Sequence, residues 1–436
     1  MRNWTVSREP TGELPVRKDI HRAAFGATVG NILEWYDFAV YGFFSLTISH
    51  LFFPTGNDLT SILLTVGTFG VGFVMRPIGA LVLGSYSDRR GRKAGLVITI
   101  MLMAAGTAMV GFAPTYATAG IAAPLIIVLA RLIQGFSAGG EVGGSTALLV
   151  EYAPRDQRGF YGAWQQASQA AALLLGSLIG AILTGLLSTD QLNAWGWRIP
   201  FILGLIIGPT GFWIRRSMQE SPSFLERNLR PDNPVFETIH RHRKGVFVGL
   251  TITIAWTVFT YCFLVYMPTY AVRQLHLSQF QALLANSVGL VAVLVLAPFF
   301  GSLSDHVGRQ LPMLIAVSAM ILFTYPLFLW ITSRPTLPSL IAVQLIFGTL
   351  TAMYTGPAPT LLSELFPTEV RSTGLSLAYN LAVCIFGGFA PFIATALIAW
   401  SGNSLAPTFY VIAASLLSFC AILFFFGSGH NARQAI

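Results

Sequence analysis

The chain has 436 residues, of which 54% are apolar and only 10% are Asp, Glu, Lys or Arg. A soluble domain carries roughly 25% of those charged residues, so this chain cannot wet the surface of an ordinary globular fold. The composition points to an integral membrane protein. It excludes a secreted disulfide scaffold, a disordered chain, a soluble enzyme and a nucleic-acid binder, and the net charge of +8 reads as membrane topology.

Residues 1–21 are polar and mixed in charge, without the apolar core or small-residue cleavage site of a signal peptide. They read as a cytoplasmic N-terminal segment. Twelve apolar runs follow, centred near residues 36, 72, 103, 137, 172, 206, 258, 292, 321, 350, 387 and 417. Each suits a hydrocarbon core that needs about 20 helical residues. Only 217–244 is longer than a turn. It is charged, contains Pro222, Pro231 and Pro234, and reads as a cytoplasmic linker between bundles at 22–216 and 245–428, with a tail at 429–436. The expected fold is an all-α membrane protein of twelve transmembrane helices in two six-helix pseudo-symmetric bundles.

Of the 26 Lys and Arg, 21 fall in segments that are inside if the N-terminus is inside, 3 fall outside, and Arg76 and Arg131 lie within spans. Cytoplasmic loops collect positive charge, so both termini are expected in the cytoplasm. Cys262, Cys384 and Cys420 lie in apolar runs and read as small core residues.

The halves repeat. Gly84-Ser-Tyr-Ser-Asp88 through Gly91-Arg92 reappears as Gly301-Ser-Leu-Ser-Asp305 through Gly308-Arg309, 217 residues on. Leu148-Leu149, Glu151, Pro154, Asp156 and Arg158 are echoed by Leu361-Leu362, Glu364, Pro367, Glu369 and Arg371 at an offset of 213. Parallel repeats related by an axis along the membrane normal are the symmetry of a two-bundle secondary transporter, with substrate held between bundles near the midplane.

The loop at Gly84–Lys93 and the stretch Arg131, Gly135, Gly139 resemble the signatures of the major facilitator superfamily. Gly30-Asn-Ile-Leu-Glu34-Trp-Tyr-Asp37, Met75-Arg76-Pro77, Arg131 through Glu141, Trp195 through Phe201, and Glu220-Ser-Pro-Ser-Phe224 resemble its metabolite:proton symporters. Arg230-Pro-Asp, Phe236, Pro268-Thr-Tyr270 and Phe386-Gly-Gly388 are most similar to citrate- and tricarballylate-type members. The resemblance implies a bacterial inner-membrane location. Osmosensing members of that family carry a long charged coiled-coil tail. This chain has no such stretch after Phe426, which argues against an osmoprotectant substrate.

A charge at mid-bilayer costs about 2.5–3.5 kcal/mol on insertion scales and so needs a partner or a purpose. Five such charges stand in the first half: Glu34, Asp37, Arg76, Arg131 and Glu141. Glu34 and Asp37 lie three positions apart and share a helix face, extended by Asn31, Phe38 and Tyr41. Read functionally, Arg76 and Arg131 attract substrate carboxylates, which a guanidinium meets through two parallel hydrogen bonds. Three acids face two Arg, so one of Glu34, Asp37 and Glu141 is left to carry a coupled proton, with Asp37 and Glu34 ranked above Glu141. The competing reading makes all five internal ion pairs that hold spans one, two and four together.

Polar candidates in the second half are Tyr261, Tyr266, Asn286, Gln344, Tyr354 and Asn380, with Gln165, Gln166 and Gln169 facing them from span five. Gly- and Pro-containing surroundings favour Tyr354 and Asn380. The substrate set is thus Arg76, Arg131, Gln134, Gln165, Tyr354 and Asn380. The resemblance assigns Asp88, Arg89, Arg92, Asp305 and Arg309 to a cytoplasmic gate, with Glu151, Arg158, Glu364 and Arg371 as partners; surface anchoring by Arg is the plainer alternative.

There is no nucleotide-binding G-x-x-x-x-G-K-[ST] loop, no clustered metal ligands among the seven His and no G-x-S-x-G elbow. Neither enzyme activity, metal nor cofactor is expected. The expected function is proton-coupled import of a small polycarboxylate such as citrate or tricarballylate by a monomer. The rivals are 2-oxoglutarate, shikimate, another mono- or dicarboxylate, or betaine or proline as substrate, and, from another class, a non-transporting receptor for organic acids.

Overall fold

Lipid offers no hydrogen-bond partner, so long apolar segments satisfy their backbone groups by coiling. The computed structural model describes residues 34–90, 92–206 and 234–426, together with Thr28, Asn31 and Ile32. Regular structure among the described residues is helical throughout. Helical backbone lies at each of the twelve expected centres.

In chain order the helices are α1 (34–52, with a turn at Phe44), α2 (Asp58–Arg90), α3 (Arg92–Gly111), α4 (Ala122–Tyr152), α5 (Arg158–Leu186) and α6 (described over 198–206). The second half has a short helix α7 (Pro234–Arg241), then α8 (Arg243–Gln274), α9 (Gln279–Val307), α10 (Gln310–Ser333), α11 (Leu337–Glu364), α12 (Arg371–Ser401) and α13 (Ala406–Phe426). Nine of these are long and apolar enough to cross a membrane, and Val97–Gly111 within α3 is a shorter apolar stretch. The N-terminal segment and the C-terminal tail lie outside the described residues. So does most of the linker, of which α7 is the described part.

Local chemistry sets several helix ends. Ser278 caps α9: its hydroxyl accepts from the backbone N–H of Gln281 at 3.2 Å, and the Gln281 side chain accepts from the Ser278 N–H at 3.1 Å. Gly308 ends α9 at φ +88, a left-handed backbone that glycine adopts without steric penalty. This explains the glycine of the second repeated loop.

The repeat is visible in the packing. In the first half α2 crosses α4 where Gly135 meets the Gly72 carbonyl; in the second, α9 crosses α11 where Gly348 meets the Gly289 carbonyl. A Cβ at either position would overlap that carbonyl, so the pairs are held at backbone contact. Between bundles, α5 runs along α9, and α2 packs against α12. These two contacts exchange under the repeat. Outward faces carry exposed apolar side chains such as Leu186, Trp400 and Phe424, which suit lipid.

Candidate functional site

Arg76 is wholly buried on α2, and Glu34 on α1 is 3% exposed. Their closest approach is 3.6 Å, from Nη2 to Oε1. Three rings enclose the guanidinium: Phe73 at 4.4 Å, Phe38 at 4.8 Å and Trp35 at 5.3 Å from ring centroid to Cζ, within cation–π range. Tyr261 of α8 and Tyr379 of α12 lie in electrostatic reach of both Arg76 and Glu34. This cluster therefore sits where the two bundles meet.

A second cluster lies within the first bundle. Arg131 of α4 stacks over Tyr41 at 3.9 Å and is in electrostatic contact with Asp37. Thr107 of α3 donates its hydroxyl to Asp37, and Gln134 of α4 donates to Thr107 at 3.1 Å. Glu34 and Asp37 are both buried, as their spacing predicts, but they look to different neighbours. Asn31 turns to α5, where it bonds Gln165 and Ser168; Glu34 turns to α2 and Asp37 to α3. Positions three apart point about 60° away from each other at 3.6 residues per turn, and an enclosed helix has a different neighbour in each direction.

Each guanidinium has five N–H donors. Nε, Nη1 and Nη2 of Arg76 and of Arg131 make no hydrogen bond among the described residues. A buried donor left unmet costs about 1–3 kcal/mol, and more when charged. A carboxylate reaching either guanidinium would meet N–H donors that make no hydrogen bond among the described residues.

The other expected side chains are placed differently. Gln165 is committed to the α1–α5 seam, and Ser145 also reaches it at 3.4 Å. The Tyr354 hydroxyl donates to the Ile252 carbonyl at 2.8 Å inside the second bundle. Asn286 and Gln344 bond each other at 2.7 Å in the same bundle. Asn380 crosses between bundles, donating to the Gly139 carbonyl at 3.0 Å, and Glu141 stands beside that contact at the break in α4. Sequence reasoning missed Trp35, Phe73, Thr107 and Tyr379. Phe73 carried a signal, three positions before Arg76 on one helix; Thr107 carried none.

At the end bearing the repeated loops, described residues bond the two bundles to each other. Asp305 accepts from the backbone N–H of Gly159 at 2.8 Å and of Phe160 at 3.1 Å, at the start of α5. Arg309 bonds Asp305 and reaches Glu364 at 3.4 Å. Arg371 pairs with Glu151 across the bundles at 3.1 Å, and Thr360 donates to the Arg158 carbonyl at 3.0 Å. The expected side chains of Asp88, Arg89 and Arg92 lie outside what is described. At the opposite end Ser45 and Thr269 bond at 3.0 Å, and Gln279 donates to the Phe43 carbonyl at 3.2 Å. Beside them a cavity of about 900 Å³ opens between α1, α5 and α9, lined in part by Thr47, His50 and Thr184.

Two repeat-related bundles, bonded at both ends around buried charge, define a secondary transporter. The Major Facilitator Superfamily model matches residues 29–391 and 295–435. The chain is 40% identical to the citrate-proton symporter of Salmonella typhi, over 92% of this chain and 94% of that protein. It is 33% identical to the glycine betaine/proline/ectoine/pipecolic acid transporter OusA of Dickeya dadantii, over 93% and 83%. The xylose transporter XylE from E. coli, in a partially occluded inward-open conformation, superposes with a TM-score of 0.75 at 20% identity, over 94% of this chain and 97% of that one. The chain belongs to the major facilitator superfamily, within its metabolite:proton symporter family; it is a multi-pass membrane transporter and not an enzyme.

Proposed function

We propose that the protein imports a small polycarboxylate, citrate or tricarballylate, together with a proton by alternating access in a bacterial inner membrane, with both termini cytoplasmic. The observation that carries this reading is the pair of buried guanidiniums, Arg76 and Arg131, whose nitrogens make no hydrogen bond among the described residues. An anion with several carboxylates supplies the acceptors. Asp37 or Glu34 takes up the proton, the bundles rock about the central site, and the contacts of Asp305 with the start of α5 and of Arg371 with Glu151 part to release both ligands inward. Substrate and proton must each bind one state better than the other, or nothing is coupled.

The identity to a betaine and proline carrier raises a zwitterion as the rival. Trp35, Phe38 and Phe73 form the kind of ring cluster that receives a quaternary ammonium. Here Arg76 occupies it, which favours an anion. The deciding experiment is uptake of labelled citrate, tricarballylate, 2-oxoglutarate, shikimate, proline and betaine into proteoliposomes, with and without an imposed pH gradient. Gradient-driven accumulation of a polycarboxylate is expected. Accumulation of betaine alone would overturn the substrate, and uptake indifferent to the gradient would overturn the coupling.

A further inference from the structure

The wall facing Arg76 from the second half is neutral. Between Lys244 and Arg273, α8 contains no Asp, Glu, Lys or Arg. Tyr261 of that helix lies in electrostatic reach of Arg76, and the same turn carries Thr257 and Thr260; each of the three is at most 2% exposed. None of these three hydroxyl oxygens has a hydrogen-bond partner among the described residues. The Tyr261 ring packs edge-on against Phe73 at 5.4 Å and lies 6.0 Å from Trp35, two of the rings that hold Arg76.

The backbone is shaped to keep this wall in place. A Cβ on Gly387 of α12 would strike the Thr257 hydroxyl and the edge of the Tyr261 ring. Residues Thr260–Tyr266 form a π-helical segment, a backbone irregularity found mostly at functional sites. Beside the wall, Trp256 donates from its indole N–H to Gln166 Oε1 of α5 at 2.8 Å, and Nε2 of that same glutamine has no partner among the described residues.

Phenylalanine would pack the Tyr261 position equally well and leave no polar atom unmet. Buried hydroxyls are ordinarily hydrogen-bonded, and three unmet ones on one turn, with Tyr261 against the rings that hold Arg76, form a recognition surface. Its chemistry differs from that of the arginines. A hydroxyl both donates and accepts, and its natural complement on a small acid is another hydroxyl, whereas carboxylates are served by Arg76 and Arg131.

We infer that Tyr261, supported by Thr257, is a specificity-determining residue that reads a hydroxyl group on the substrate, so that the site prefers a hydroxy-tricarboxylate to the same acid without its hydroxyl. The inference rests on the polycarboxylate reading above and narrows it. Sites built to bond a substrate hydroxyl reject analogues that lack it far more strongly than apolar pockets reject a missing methylene.

The test compares citrate with tricarballylate, its deoxy analogue, as binding isotherms on the purified full-length protein in lipid. The variants are Tyr261→Phe, which keeps the ring and its packing, and Thr257→Val, which is isosteric. The wild type should bind citrate about tenfold or more tightly over tricarballylate. Tyr261→Phe should erase that preference by weakening citrate alone, with an unchanged thermal midpoint, and Thr257→Val should move in the same direction. Equal weakening of both acids, or no change in either, would overturn the assignment while leaving polycarboxylate transport standing. Binding of neither acid by the wild type would overturn both.

Discussion

Thr107 on α3 donates its hydroxyl to Oδ2 of Asp37 on α1, and the same hydroxyl accepts from Gln134 of α4 at 3.1 Å. Asp37 is thereby tied to two helices of its own bundle, while Oδ1 accepts no hydrogen bond among the described residues and Arg131 supplies the nearby positive charge. A change in the protonation of this carboxyl is felt directly by the arginine and by the helices that carry it. In a medium of low dielectric such changes are large.

Asp37→Asn tests that linkage. The amide still accepts from Thr107 but cannot take up a proton. Exchange of labelled for unlabelled substrate across the membrane should persist, while accumulation driven by a pH gradient falls to background. Normal gradient-driven accumulation by this variant would transfer the proton to another acid, with Glu34 next in line.

Arg131→Gln separates ligand binding from scaffolding. Hydrogen bonds to charged groups contribute roughly 1.5–3 kcal/mol, so affinity for a tricarboxylate should fall about 10- to 100-fold. A neutral triamide of the same acid should lose much less. Equal loss for both would mean that Arg131 only packs against Tyr41.

Asp305→Asn probes the end that bears the repeated loops. Its carboxylate caps the start of α5 in the other bundle through two backbone N–H groups and holds Arg309. The amide is a weaker acceptor and carries no charge for Arg309. Membrane insertion should be normal, uptake should drop about tenfold, and spin labels placed across this end should report longer distances. Full uptake with unchanged distances would remove the gate role.

Gly135→Ala addresses stability. The new methyl would overlap the Gly72 carbonyl and force α2 from α4, and overpacking of this kind costs about 1–3 kcal/mol. The thermal midpoint in detergent should fall, and Gly348→Ala should behave alike because Gly289 stands in the equivalent place. A midpoint unchanged in both would contradict the reading of these crossings as backbone contacts.

Much of the architecture was legible without coordinates. Apolar length set the spans, the distribution of Arg and Lys set the expected topology, and the matching loops at Asp88 and Asp305 announced the repeat that Gly72 and Gly289 then display in packing. The contacts of Asp305 with the start of α5 and of Arg371 with Glu151 fall in the repeated motifs, which mark places where the two halves meet. The buried clusters were most readable in their charges, with Gln134, Phe38, Tyr41 and Tyr261 named beside them but not their partners. A buried ion advertises itself, since lipid penalises it wherever it points, whereas a buried Tyr or Thr is ordinary until its surroundings are known. Tyr354 and Tyr261 are both tyrosines in apolar helices; one bonds the Ile252 carbonyl and the other has no partner among the described residues.

Residue order alone therefore determined the membrane class, the helical spans, the twofold repeat and the identity of the buried charges. Each follows from local composition measured against a bilayer. Only the tertiary structure decided that Glu34 faces Arg76 at the bundle boundary while Asp37 faces Thr107 and Arg131 inside the first bundle. Side-chain direction on an enclosed helix depends on which neighbour lies 60° further round, and that is set by how helices distant in the chain come to pack.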